Sequence, residues 1–250
     1  MHIDQKGWLQ SEPGDPVVLH VPTERTTKLV GGKPLGLAWH WTADAVNEGG
    51  YGDSVALAKS IAKRPAPGEA SASWNALVDR TGAIVQSASF LSGTWHVGRP
   101  GIVADQHFAN VNAATIGIEL ENAGRLTKVG NDWVGWPFYK AGIVDGQRVR
   151  APRFGVDPRF VVAKTRMVTY PDTTFQHVTW KAGSFDAYTN EQEVSAQAIV
   201  TALAAFFGWK ADAFRYGHAL FVPPSYKEDP GPGWLGAGGM LEGILARVFA

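Results

Sequence analysis

The sequence predicts an α/β fold of one domain, with a mixed central β-sheet flanked by α-helices. Four stretches carry this reading. Two stretches, LGLAWHW (35–41) and NAATIGIELEN (112–122), alternate large apolar residues with small or charged ones, the period-two pattern of half-buried strands. A third, SWNALVDRTGAIVQSASF (73–90), sets two apolar runs around an Arg80-Thr81-Gly82 turn. A fourth, TNEQEVSAQAIVTALAAFFG (189–208), is a helix bounded by a capping residue and a terminal glycine. With 250 residues, 45% of them hydrophobic, and ten tryptophans, the chain can fill the core such a fold requires.

The elements follow in order. Residues 1–34 are rich in turn formers and read as an N-terminal arm with one short strand in PVVLHVP. In 35–41, Leu35, Leu37, Trp39 and Trp41 share one face, while Gly36, Ala38 and His40 share the other. His40 therefore points away from the bulky face. Residues 53–64 read as an amphipathic helix with Asp53 as its N-cap. The loop GTWHVGRPG carries His96. In 112–122, Ile116, Ile118 and Leu120 face one way, and Gly117, Glu119 and Glu121 the other. Residues 123–187 are the least regular part and read as an insertion of short strands and loops, long enough to cover a site. The helix at 189–208 is capped by Thr189 or Asn190 and ended by Gly208. A Pro/Gly-rich loop, GHALFVPPSYKEDPGPGW (217–234), precedes a C-terminal segment, 235–250, with a short helix in MLEGILARVF.

Composition removes several function classes. Net charge is zero with 23 basic and 23 acidic residues, so the basic footprint of a nucleic-acid binder is missing. The absence of cysteine excludes disulfides and zinc–thiolate sites. The N-terminus has no apolar signal segment, and no run of eighteen apolar residues exists. Synthesis in the cytoplasm without a signal peptide, no membrane span and a monomeric state are expected.

The chemistry concentrates in few residues. His40 sits mid-strand over small neighbours, and His218 precedes Asp229 within the Pro/Gly-rich loop. Two imidazoles and one carboxylate, with a fourth position left to water, form an open catalytic zinc site. Lys227 stands two residues before Asp229, so an extended segment can present both to one side.

Five motifs in order resemble the type-2 N-acetylmuramoyl-L-alanine amidases, which include phage endolysins, cell-wall recycling amidases and peptidoglycan recognition proteins. They are LAWHWTA, SWNALVDRTGAIVQ, TWHVG, NAATIGIELEN and GHALFVPPSYKEDPGPGW, covering roughly residues 35–122 and 188–234. The resemblance implies a peptidoglycan recognition protein-like fold and Zn2+ held by His40, His218 and Asp229. It implies Glu119 as general base and Lys227 as the stabiliser of the oxyanion. The implied reaction is zinc-dependent cleavage of the amide between N-acetylmuramic acid and L-alanine in peptidoglycan or a soluble muropeptide. The competing classes are a non-catalytic peptidoglycan-binding protein and a zinc peptidase cutting within the stem peptide.

Several residues retain two readings. Glu121 competes with Glu119 one pleat further on. Lys227 either meets substrate or pairs with Glu228 in solvent. His96 either contacts substrate or packs behind the ligands. Trp39, Trp41 and Trp74 are candidates to line a sugar groove; His107 and His177 match no motif. Trp74 and Asn75 stand where many members carry histidine or tyrosine, so no tyrosine-assisted mechanism is expected there. Residues 235–250 are too short for a wall-binding module. The setting is either that of a bacteriolytic endolysin acting on the cell wall or of a cytoplasmic recycling amidase.

Overall fold

The computed structural model describes residues 1–43, 51–63, 65, 72–136, 139–145, 147–222 and 227–250. Its central sheet uses β1 (Val18–His20), β2 (Gly36–Trp41), β3 (Ala76–Val78), β4 (Ile84–Gln86), β5 (Thr115–Leu120) and β6 (Tyr216–Gly217). The spatial order is β6-β2-β5-β3-β4-β1. Neighbours are parallel except β3 and β4, the hairpin around the Arg80-Thr81-Gly82 turn. The sheet is therefore mixed, as expected.

Period-two alternation gives this sheet two different faces. Leu37 and Trp39 of β2 and Ile116, Ile118 and Leu120 of β5 enter the main core, where Ile199, Val200 and Leu203 meet them. Those three belong to α2 (Asn190–Phe207), and α3 (Met240–Val248) adds Leu241, Ile244 and Leu245. Each large side chain so buried contributes about 1.5–3 kcal/mol relative to exposure. On the opposite face, Leu77 packs with Ile61, Trp74 and Leu57, the last from α1 (Tyr51–Ser60).

The ends of α2 follow from its sequence. Thr189, not Asn190, is the N-cap: its Oγ1 accepts from the Gln192 amide at 3.1 Å, and Gln192 Oε1 accepts from the Thr189 amide at 3.1 Å. Gly208 closes the helix in the left-handed region. The first helix departs from expectation. It includes Asp53, so this residue is not the cap, and it ends at Ser60; Arg64 lies outside the described residues.

The N-terminal arm is more integrated than its turn-rich composition implies. A two-stranded hairpin, His2–Ile3 with Leu9–Gln10, sends Ile3 and Leu9 into the main core. The buried Gln86 side chain pins it, accepting from the Leu9 amide at 2.7 Å and donating to the Gly7 carbonyl at 3.0 Å. The 123–187 segment contains short antiparallel strand pairs. Asp186 clamps its two ends. Its carboxylate accepts from Arg80, Arg166 and the Ala123 amide, while its carbonyl accepts from Asn122. Among the described residues no helix is long and apolar enough to cross a membrane.

Thr189→Ala removes the cap and its second bond, from Thr189 Oγ1 to the Arg80 carbonyl. Urea unfolding should show a loss of about 1–2 kcal/mol, with turnover per folded molecule unchanged.

Candidate metal centre

The sheet's register assembles the site. Glu119 of β5 lies directly beside His40 of β2, so two positions far apart in sequence share one face. Gly217 of β6 pairs with Trp39, which delivers His218 next to His40. The loop returns so that the Ala219 amide donates to the Asp229 carbonyl at 2.9 Å. This approach requires glycine at 217, because a Cβ there would stand 2.5 Å from Pro230 Cδ.

His40, His218 and Asp229 are all buried, with one candidate ligand atom of each lying within 4.8 Å of the others. His40 Nδ1 is 3.1 Å and His218 Nδ1 3.3 Å from the same carboxylate oxygen, Asp229 Oδ2. Donors about 2.0–2.1 Å from a tetrahedral zinc stand roughly 3.3 Å apart, so these spacings fit that ion. Asp229 Oδ1 and Glu119 Oε2 are enclosed without hydrogen-bond partners among the described residues. Burial holds the His40 imidazole neutral, lowering its pKa to about 4 against the opposing pull of Asp229. Burial alone would raise Asp229, but the His218 and His40 imidazoles beside its carboxylate keep it well below the usual carboxylate range. A neutral imidazole beside a carboxylate anion is the protonation pattern of a metal ligand set.

Glu119 and Lys227 line the same cleft of about 180 Å³, together with Trp41 and Trp74. Burial, then the charge of Asp229, pushes Glu119 well above its ordinary pKa, and Lys227 acts the other way. A larger cleft, about 590 Å³, lies between the 81–83 turn and the start of α2 and is lined by none of these residues.

Fold and site together are those of a mixed α/β protein with a buried His-His-Asp cluster able to hold a metal ion. The N-acetylmuramoyl-L-alanine amidase family matches residues 17–232. The chain belongs to that family and is an enzyme of its class. Its fold resembles the crystal structure of a Se-Met AmpD derivative, with a TM-score of 0.54 at 18% identity over 98% of this chain and 99% of that one. The solution structure of Citrobacter freundii AmpD is 19% identical over 93% of this chain and 89% of that one, with a TM-score of 0.43. No curated protein sequence matches the chain.

Other predicted residues separate cleanly. Trp39 does not line a groove: it is 0% exposed, and its Nε1 donates to the Phe214 carbonyl at 2.9 Å. Its parity in β2 puts it on the core face, opposite His40. Glu228 is not Lys227's partner, because Arg125 holds its carboxylate through two bonds of 2.6 and 2.9 Å. His107 is exposed, and His177 meets the Leu220 carbonyl. Residues 223–226 of the motif loop lie outside the described residues. The sequence reading missed how closely His96 approaches His40, with 3.0 Å between ring nitrogens. Its signal was Gly117, a small residue on the Glu119 face that leaves room for a ring.

Glu121 leaves the cleft and joins the scaffold, accepting from Ser54 Oγ at 3.2 Å and the Arg80 amide at 3.3 Å. Burial raises its pKa from 4.5 to about 7. Across that window the folded state keeps a proton that the unfolded chain releases, so stability falls as pH rises from 4.5 to about 7. Glu121→Gln should remove this component, so the melting temperature of the variant minus that of the parent rises across the window. A constant difference would exclude Glu121 as the titrating group.

Proposed function

We propose that the protein hydrolyses the amide between the lactyl group of N-acetylmuramic acid and L-alanine, using zinc held by His40, His218 and Asp229. The observation that carries this reading is the convergence of both imidazole Nδ1 atoms on one Asp229 oxygen, with Glu119 alongside in register. Zinc bound there supplies Lewis acidity, lowering the pKa of water to about 7 and polarising the scissile carbonyl.

The chain's own groups do the rest. Glu119 takes the proton of the attacking water and passes it to the leaving nitrogen, so that L-alanine departs as an amine. In the metal-free protein its burial favours the protonated form; the Lys227 ammonium, and any cation beside Asp229, favours the carboxylate. Lys227, exposed at the cleft, places positive charge against the oxyanion that develops on the carbonyl carbon's oxygen. Trp41 and Trp74 line the cleft and offer apolar surface to the sugar.

The proposed ligands predict one zinc per chain by elemental analysis, with near-complete loss in His218→Ala. Full occupancy in that variant would sink the assignment. Digested peptidoglycan should gain N-terminal alanine and no new reducing sugar. A new amine on another stem residue indicates a peptidase, and no release at all indicates a binding protein.

Glu119→Gln should keep zinc and lose at least about a hundredfold in turnover. Lys227→Met should keep zinc and fold, and lose about a hundred- to a thousandfold, in turnover rather than in substrate affinity. Parental turnover in either variant removes that residue from the mechanism.

A further inference from the structure

His96 is buried and both its ring nitrogens are engaged, so neither is available to a substrate. Its Nδ1 stands 3.0 Å from His40 Nε2, and its Nε2 stands 3.2 Å from Thr115 Oγ1 and 3.4 Å from the Thr115 carbonyl. The Thr115 hydroxyl donates its only hydrogen to the Val111 carbonyl at 2.8 Å. At His96, therefore, both Thr115 oxygens can only accept.

Proton placement follows along this chain of bonds. The hydrogen between His96 and Thr115 belongs to His96 Nε2. In the neutral His96 ring, Nδ1 is then a lone pair and must accept from His40 Nε2–H. The neutral His40 ring is left with its lone pair on Nδ1, the atom that faces Asp229 Oδ2 at 3.1 Å. Two acceptors held face to face at that distance repel unless a cation lies between them.

The seat of the His96 ring is built to hold this orientation. The ring lies against the backbone of Gly117, where a Cβ would stand 2.6 Å from His96 Cγ. The loop beyond it is tied down, since the Val97 and Gly98 amides both donate to Asn112 Oδ1 at 2.8 and 3.1 Å.

We propose that His96, backed by Thr115, is a positioning residue that sets the His40 imidazole in the tautomer able to bind metal through Nδ1. This rests on the proposed reading of His40 as a ligand. Partners of this kind typically change metal affinity by about 10–100-fold.

The test is zinc affinity by chelator competition on the folded full chain, with circular dichroism as the check on fold. His96→Leu removes the acceptor and should weaken zinc binding about 10–100-fold. His96→Asn can place its Oδ1 where Nδ1 stood, and should restore most of the affinity. Thr115→Val should weaken it less than His96→Leu, because the Thr115 carbonyl remains. Parental affinity in His96→Leu, alongside loss of zinc in His218→Ala, overturns this proposal alone. A parent that takes up no zinc, or a His218→Ala variant that keeps it, overturns the metal centre and this proposal with it. Should His96→Leu fail to fold, nitrogen-15 shifts of the zinc-loaded parent decide the matter: His96 must be protonated at Nε2 and bare at Nδ1, and the reverse pattern overturns the proposal.

Discussion

The parallel pairing of β2 with β5 is the constraint on which the rest of the molecule depends. Its register sets Glu119 beside His40 and Ile118 beside Trp39. Because successive side chains point to opposite faces, that one register decides both what is buried and what reaches the cleft. A slip of β5 by one residue against β2 would turn Ile118 toward the cleft and Glu119 into the core. The apolar face prevents it, with Leu37, Trp39, Ile116, Ile118 and Leu120 all packed in one core. The polar groups of the site are thus positioned by apolar residues on the other side of the same strands.

The second half of the site depends on elements beyond this pair. Two residues of β6 bring His218 to the edge of β2, and the 123–187 segment supports the loop that carries Asp229. Trp180 Nε1 donates to the Glu228 carbonyl at 2.8 Å, and Arg125 grips the Glu228 carboxylate. Asp186 ties the ends of the same segment to Arg80, next to the hairpin turn. A buried carboxylate needs such donors to offset its lost hydration. The segment therefore acts on the site through Glu228, the residue before Asp229.

Electrostatically the site is unbalanced without a cation. A buried anion faces two imidazole nitrogens, and Asp229 Oδ1 and Glu119 Oε2 have no hydrogen-bond partners among the described residues. Unsatisfied buried acceptors cost stability, and proteins retain them chiefly where function requires it. The proposed zinc would satisfy the carboxylate and couple metal binding to the stability of the fold.

Much of this was legible in the chain. Period two identified β2 and β5 and placed His40 and Glu119 over small neighbours; the Thr189 and Gly208 signals bounded α2; motif order pointed to the amidase family. The same parity that turns His40 toward the cleft puts Trp39, read from the sequence as a groove candidate, on the core face. Other features were not legible. Glu228 follows Lys227 directly, yet its partner is Arg125 across the fold. Glu121 shares a face with Glu119, yet it is 7% exposed and bonds to Ser54 of α1. Ile3 and Leu9 belong to the core although their segment is rich in turn formers. By itself the sequence determined what is local: which residues alternate, where helices start and stop, and which side chains can ligate or move protons. Tertiary structure alone decided which of them meet, because the contacts of His96 with His40 and of Arg125 with Glu228 depend on sheet order and loop return. Short-range periodicity carries no record of either.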